Sequence, residues 1–155
     1  MSTASINHKV PAFNLPATGE QNIRLAAFKG KNIVLYFYPK DSTPGCTREG
    51  QDFRDNHRKF QARNTVVIGV SRDSLSSHEK FKTKQNFPFA LIADTEETLC
   101  AMFDVVKMKN MYGKKVRGIE RSTFLIDAKG VLKKEWRKVN IDGHVEEVLA
   151  AINDL

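Results

Sequence analysis

A chain of 155 residues with 41% hydrophobic content has the size and composition of one folded domain, taken as residues 1–155. No run nears the roughly 18 consecutive apolar residues of a membrane span, and the opening MSTASINHKV lacks the apolar segment of a secretory signal, so a cytoplasmic protein without a membrane partner is expected. The net charge of +7 raises nucleic-acid binding, but Lys107, Lys109, Lys114, Lys115 and Arg117, and then Lys133, Lys134, Arg137 and Lys138, match no reading motif and read as solvated basic faces.

Along the chain, Val10–Leu15 carries apolar residues at Val10, Phe13 and Leu15, interrupted by Pro11 and Pro16, which predicts a short edge strand, where proline is tolerated. A turn at Gly19-Glu20 leads into Asn22–Leu25, completing an N-terminal hairpin, and Ala26–Gly30 reads as a brief helical turn. Asn32–Tyr38 (NIVLYFY) is a continuous apolar run, as expected of a central strand buried on both faces. From Thr43 to Arg63 the pattern is helical, with Cys46, Phe53 and Phe60 at seven-residue spacing on one face. Thr65–Ser71 is a second buried strand, Ser74–Gln85 a helix with a serine at its start, and Phe89–Ala93 a third strand. Thr95-Glu96-Glu97 opens a short helix carrying Leu99, Cys100, Met102 and Phe103. Lys107–Arg117 reads as an exposed loop or hairpin. Arg121–Asp127 and Val131–Lys138 flank Ala128-Lys129-Gly130 as a second hairpin. In Gly143–Leu155, Val145, Val148, Leu149 and Ile152 follow the i, i+3, i+4, i+7 pattern of an amphipathic helix. The sum is α/β with a mixed central sheet flanked by helices.

Two cysteines are too few for a disulfide scaffold and have neither CxxC nor zinc-ligand spacing. His8, His57, His78 and His144 are scattered and read as surface or packing residues, so no metal site is expected. The chemistry concentrates in Tyr36–Gln51, YFYPKDSTPGCTREGQ. A Pro/Gly-broken loop delivers Cys46 to a helix start, whose positive field favours thiolate over thiol. Thr43 can place its hydroxyl beside the sulfur, or serve as a plain N-cap. Pro39 ends the strand and can shield the sulfur from water, while Pro44 pre-sets the first helical turn. The alternative for Cys46, a small buried hydrophobe, fits a loop–helix junction less well than a mid-core position.

The pattern Pro39-x-x-x-Thr43-x-x-Cys46, after a strand ending in Tyr36-Phe37-Tyr38, resembles the peroxidatic motif of peroxiredoxins. The longer string YFYPKDSTPGCTREGQDFRD resembles the bacterioferritin comigratory protein (peroxiredoxin Q) branch. The likeness extends through LIADTEETLCAMFDV, MYGKKVRGIERSTFLIDAKG and the closing helix, nearly the whole chain. It implies a thioredoxin-like fold and a peroxidase reducing hydrogen peroxide and organic hydroperoxides, without a cofactor. The implied reductant is thioredoxin, glutaredoxin or a low-molecular-weight thiol, and the implied state is a monomer. Cys46 would be the peroxidatic nucleophile, passing through a sulfenic acid. Thr43 would hold the peroxide, and Arg121 would favour the thiolate and stabilise developing negative charge on oxygen. Glu49, one turn after Cys46, could orient that arginine or simply place a charge near a helix start.

One departure matters. Many members of the branch carry a resolving cysteine five residues after the peroxidatic one, and that position is Gln51. Cys100 is the remaining candidate within the chain, although its apolar surroundings also read as those of a packed, unreactive thiol. The expectation is a one-cysteine cycle completed by an external thiol, with a Cys46–Cys100 disulfide after local unfolding as the second choice. Two other functions compete. A thiol–disulfide oxidoreductase is disfavoured by the absence of paired cysteines, and a non-catalytic basic binding module would use the same fold. The basic stretches could also draw in anionic hydroperoxides.

Overall fold

The computed structural model describes residues 3–155. Seven strands form one mixed sheet in the order β2-β1-β5-β4-β3-β8-β9. They are β1 (Asn14–Ala17), β2 (Gln21–Arg24), β3 (Asn32–Phe37), β4 (Thr65–Ser71), β5 (Ala90–Ala93), β8 (Ser122–Ile126) and β9 (Leu132–Arg137). The three central strands run parallel, because helical crossovers join them, whereas β8 and β1 flank them antiparallel. The remaining strands, β6 (Val106–Met111) and β7 (Lys114–Ile119), form a separate two-stranded ribbon.

Alternation along β3 sorts the interior into two cores. Ile33, Leu35 and Phe37 face one side, with Leu99, Cys100 and Phe103 from α4 (Thr98–Met102) and its end. Val34, Tyr36 and Tyr38 face the other. There they meet Cys46 and Phe53 of α1 (Pro44–Asp55), Phe60 of α2 (His57–Ala62), Phe81 of α3 (Leu75–Gln85) and Val148 of α5 (His144–Ile152). Tyr36 stacks on Phe53 with ring centroids 4.5 Å apart, which seats α1 across the strand that leads into it.

Several expectations need correction. The helix expected over residues 43–63 is two helices, broken at Asn56 (φ −106°, ψ 9°). The Asn56 side chain donates to the Asp52 carbonyl at 2.8 Å, a local bond that competes with helix continuation. The first strand lies at Asn14–Ala17 rather than Val10–Leu15, and it is not the edge; β2 is. Pro16 survives there because β1 meets β5 at one residue pair, Ala17 with Ile92. The helix α4 starts at Thr98, after Glu97 in a left-handed conformation. Asp94 supplies its cap by accepting from the Leu99 and Cys100 amides at 3.1 and 2.8 Å. Lys107–Arg117 falls within the β6–β7 hairpin, one of the two forms expected of it.

Gly50 shows how closely α1 rides on its neighbours. A Cβ at this position would stand 2.3 Å from Cζ of Phe87, whose ring is buried and packed between Phe81 and Phe89. Alanine would gain about 1 kcal/mol of helix propensity, but the overpacking costs about 1–3 kcal/mol and cannot be relieved by a free rotamer. Gly50→Ala is therefore expected to lower unfolding free energy in urea by about 1 kcal/mol. A variant as stable as the parent would show that Phe87 has room to move.

Candidate active site

Strand β3 ends at Phe37, and Tyr38-Pro39 carries the chain into the loop preceding α1. Cys46 is the third residue of α1 and is 2% exposed. Its partner arrives from another strand. Because Phe37 pairs with Ser122, the residue before β8, Arg121, is placed beside the end of β3. The Arg121 guanidinium donates through Nη2 to Cys46 Sγ at 3.5 Å and through Nη1 to Glu49 Oε1 at 2.7 Å. Gly45 makes room for this reach, since a Cβ there would stand 3.2 Å from Nη2. One planar cation thus spans the sulfur and a carboxylate one helical turn away.

Glu49 is almost completely buried, and its Oε2 has no hydrogen-bond partner among the described residues. Burial pushes its carboxyl up to about 7, against the pull of the Arg121 charge and hydrogen bond. For Arg121 burial opposes the charge, but Glu49 and Cys46 outweigh it and push the guanidinium above its ordinary value. The site therefore holds a permanent cation whose charge is only partly matched below neutral pH.

Thr43 stands at the N-cap of α1, yet its side chain accepts no helix amide. Its hydroxyl donates to the Lys40 carbonyl at 2.8 Å, so the oxygen's lone pairs remain free to accept. Pro39 is half-buried at the mouth of the same loop. Cys46, Thr43, Arg121, Glu49 and Pro39 thus gather around one helix start.

Cys100 does not join them. It lies fully buried in the core on the opposite face of the sheet from Cys46. Burial first, then the Asp94 carboxylate, pushes its thiol far above the ordinary range. Gln51 donates to Gln85 Oε1 at 3.0 Å and ties α1 to α3.

Five residues near the site were given no role there by sequence reasoning. Asp41, in the loop before Thr43, is buried and accepts from Tyr38 Oη at 2.6 Å and Ser77 Oγ at 2.8 Å. His78 of α3 lies 2.7 Å from the same carboxylate through Nδ1 and 2.9 Å from the Ile92 carbonyl through Nε2. Asp41, Asp73 and His78 converge closely enough to suggest a metal cluster. Their facing atoms are nevertheless used: Asp73 Oδ2 accepts from the Asp41 amide and from Ser71 Oγ, and both His78 nitrogens are engaged. His144 bonds Thr123 Oγ1 at 2.8 Å, and burial together with the Arg121 charge pushes it down to about 4, which keeps the ring neutral at pH 7. Lys109, on the ribbon, is close enough for its ammonium to feel Arg121 and Cys46. No local pattern brings these residues together, because most of their partners come from distant strands or helices.

The AhpC/TSA family model matches residues 6–135. The chain is 52% identical to Peroxiredoxin Bcp of Bacillus subtilis over 99% of its own length and 98% of the relative's. It is 49% identical to Peroxiredoxin Bcp of Xanthomonas campestris, covering 98% and 96%. Among solved structures, Xanthomonas campestris Peroxiredoxin Q superposes with a TM-score of 0.87 at 50% identity over 92% of this chain and 90% of that one. A PrxQ mutant of Xylella fastidiosa reaches 0.92 at 41% identity over 99% and 98%. The chain belongs to the AhpC/TSA family as a peroxiredoxin of the Bcp (peroxiredoxin Q) branch with a thioredoxin-like fold, and is a thiol-dependent peroxidase.

Proposed function

We propose that Cys46 is the peroxidatic nucleophile of this peroxidase, that Thr43 and Arg121 serve it directly, and that an external thiol completes a one-cysteine cycle. The observation that carries the reading is the Arg121 guanidinium shared between Cys46 Sγ and Glu49. The Cys46 thiolate attacks one oxygen of the hydroperoxide, the O–O bond breaks, and the sulfur becomes a sulfenic acid. The departing oxygen leaves as alkoxide or hydroxide and takes a proton to give alcohol or water. Arg121 faces the charge that develops on that oxygen in a site sheltered from water. Thr43, already donating to Lys40, accepts the hydroperoxide O–H and turns the reacting oxygen toward the sulfur. Glu49 keeps the guanidinium in plane, and Pro39 screens the thiolate.

Alkyl peroxide reduction, described for the Xanthomonas campestris relative, comes to this chain as its expected substrate class along with hydrogen peroxide. The separation of Cys46 and Cys100 by the sheet, and glutamine at position 51, support reduction by thioredoxin, glutaredoxin or a small thiol rather than an internal disulfide. The setting proposed, in keeping with a chain of only two cysteines, is a single-domain (residues 1–155), monomeric cytoplasmic enzyme. No cofactor takes part.

Intact mass after one equivalent of peroxide is expected to show one added oxygen in both the parent and Cys100→Ser, and none in Cys46→Ser. A two-hydrogen loss that disappears in Cys100→Ser would establish the internal disulfide instead. Arg121→Lys keeps the charge but not the fork that reaches two partners. Stopped-flow oxidation of Cys46 by hydrogen peroxide should slow by roughly 100-fold, and a rate within twofold of the parent would remove Arg121 from the chemistry. Glu49 has a folded-state pKa of about 7, above its ordinary 4.5. Its contribution to stability is therefore complete below about 4.5 and fades as pH rises through about 7. Urea unfolding of Glu49→Gln at pH 5 and pH 8 should show the variant gaining stability relative to the parent at the higher pH. A constant difference would mean that Arg121 holds the carboxylate ionised throughout.

A further inference from the structure

The net charge of the chain is not spread over its surface. The β6–β7 ribbon, residues 106–119, carries five Lys and Arg and no acid, so the other 141 residues hold 20 Lys and Arg against 18 Asp and Glu. Five of the seven net charges therefore sit on one ribbon. That ribbon pairs with no strand of the main sheet, and two strands alone are marginally stable in water. It is tethered to the body by ion pairs at its base, Arg117 with Glu97 and Lys107 with Asp104.

Four of the seven exposed large apolar side chains of the described residues are also here: Met108, Met111, Val116 and Tyr112, the last fully exposed at the tip. By the hairpin register, Lys109, Val116, Met111 and Lys114 share one face. At the inner end of that face, the Lys109 ammonium donates to the Ile119 carbonyl at the end of β7, and the chain reaches Arg121 two residues later. The outer end is free, since Lys114 and Lys115 make no ion pair among the described residues. A surface that is both basic and apolar, running from a reactive sulfur to an exposed tip, is an unfilled contact area rather than a solvated face.

We propose that the β6–β7 ribbon is the docking surface for an acidic dithiol protein that reduces oxidised Cys46. The inference rests on the external-thiol cycle above. Strands of six residues reach roughly 20 Å, farther than a small thiol can touch while also meeting Cys46, whereas a protein partner covers both. Apolar side chains interleaved with the lysines favour a protein surface over the phosphates of a nucleic acid. In the reaction served, one partner thiol attacks the Cys46 sulfenic acid, forming a mixed disulfide and releasing water. The partner's second thiol then attacks the partner's own sulfur in that bond, freeing the Cys46 thiol and leaving the partner as an intramolecular disulfide. The two electrons come from the dithiol.

The test uses the full chain with a thioredoxin of acidic isoelectric point, its reductase and NADPH, beside dithiothreitol as reductant. For Lys114→Glu/Lys115→Glu and, separately, Tyr112→Ser, the KM for thioredoxin should rise about tenfold at low salt. Stopped-flow oxidation by hydrogen peroxide and dithiothreitol-supported turnover should stay within twofold. The parent's KM for thioredoxin should climb with ionic strength, and the charge-reversed variant's should not. An unchanged KM overturns the docking surface. So does thioredoxin failing to support turnover while dithiothreitol does, a loss confined to kcat/KM for a fatty-acid hydroperoxide, or a dimer in sedimentation that the variants abolish. Loss of peroxide oxidation in the parent itself would instead overturn the assignment of Cys46.

Discussion

The site depends on one half-buried cation. Arg121 is held where water cannot hydrate it freely, and an ion in such a place is costly unless its donors are used and its charge is matched. Glu49 matches it and Cys46 shares it. Each of the three needs the others in position: the sulfur sits at the first turn of α1, the carboxylate one turn on, and the guanidinium comes across from the start of β8. Gly45 leaves the gap through which it reaches. The cost of burying Glu49 is visible in its raised carboxyl pKa, a sign that the pair is arranged for chemistry more than for stability.

The loop before Cys46 is fixed from the opposite side. Asp41 gathers Tyr38, Ser77 and His78, and His78 anchors in turn to the backbone of β5. A buried polar cluster with its facing atoms satisfied defines one geometry far better than apolar contacts do. The segment carrying Pro39 and Thr43 is therefore braced by α3, while Gln51 braces α1 against the same helix and the Gly50–Phe87 contact braces it against the segment that follows. The sheet separates the redox chemistry as well: Cys46 lies on one face, and Cys100 lies on the other beside a carboxylate that disfavours its thiolate.

The sequence by itself determined a good deal. Apolar runs located β3, β4 and β5, helical periodicity located α1 and α5, and the glycine-containing turn located the β8–β9 hairpin, since these signals are local. The peroxidatic string placed Cys46 and Thr43 together on one loop–helix junction, because neighbours in sequence remain neighbours in space. It also removed the usual second cysteine by showing glutamine at position 51.

Tertiary structure decided the rest, because pairing across the sheet is not written in any window of residues. The resemblance named Arg121, but only the β3–β8 register brings it to a sulfur 75 positions away. Only α3 packing reveals that His78, read as a surface or packing histidine, is buried against Asp41. The break at Asn56 turned on one side-chain bond to Asp52, too slight for periodicity to register. The placement of Cys100 followed from helix packing, since α4 covers the face of the sheet opposite to the one that α1 covers, and the two cysteines ride on those helices.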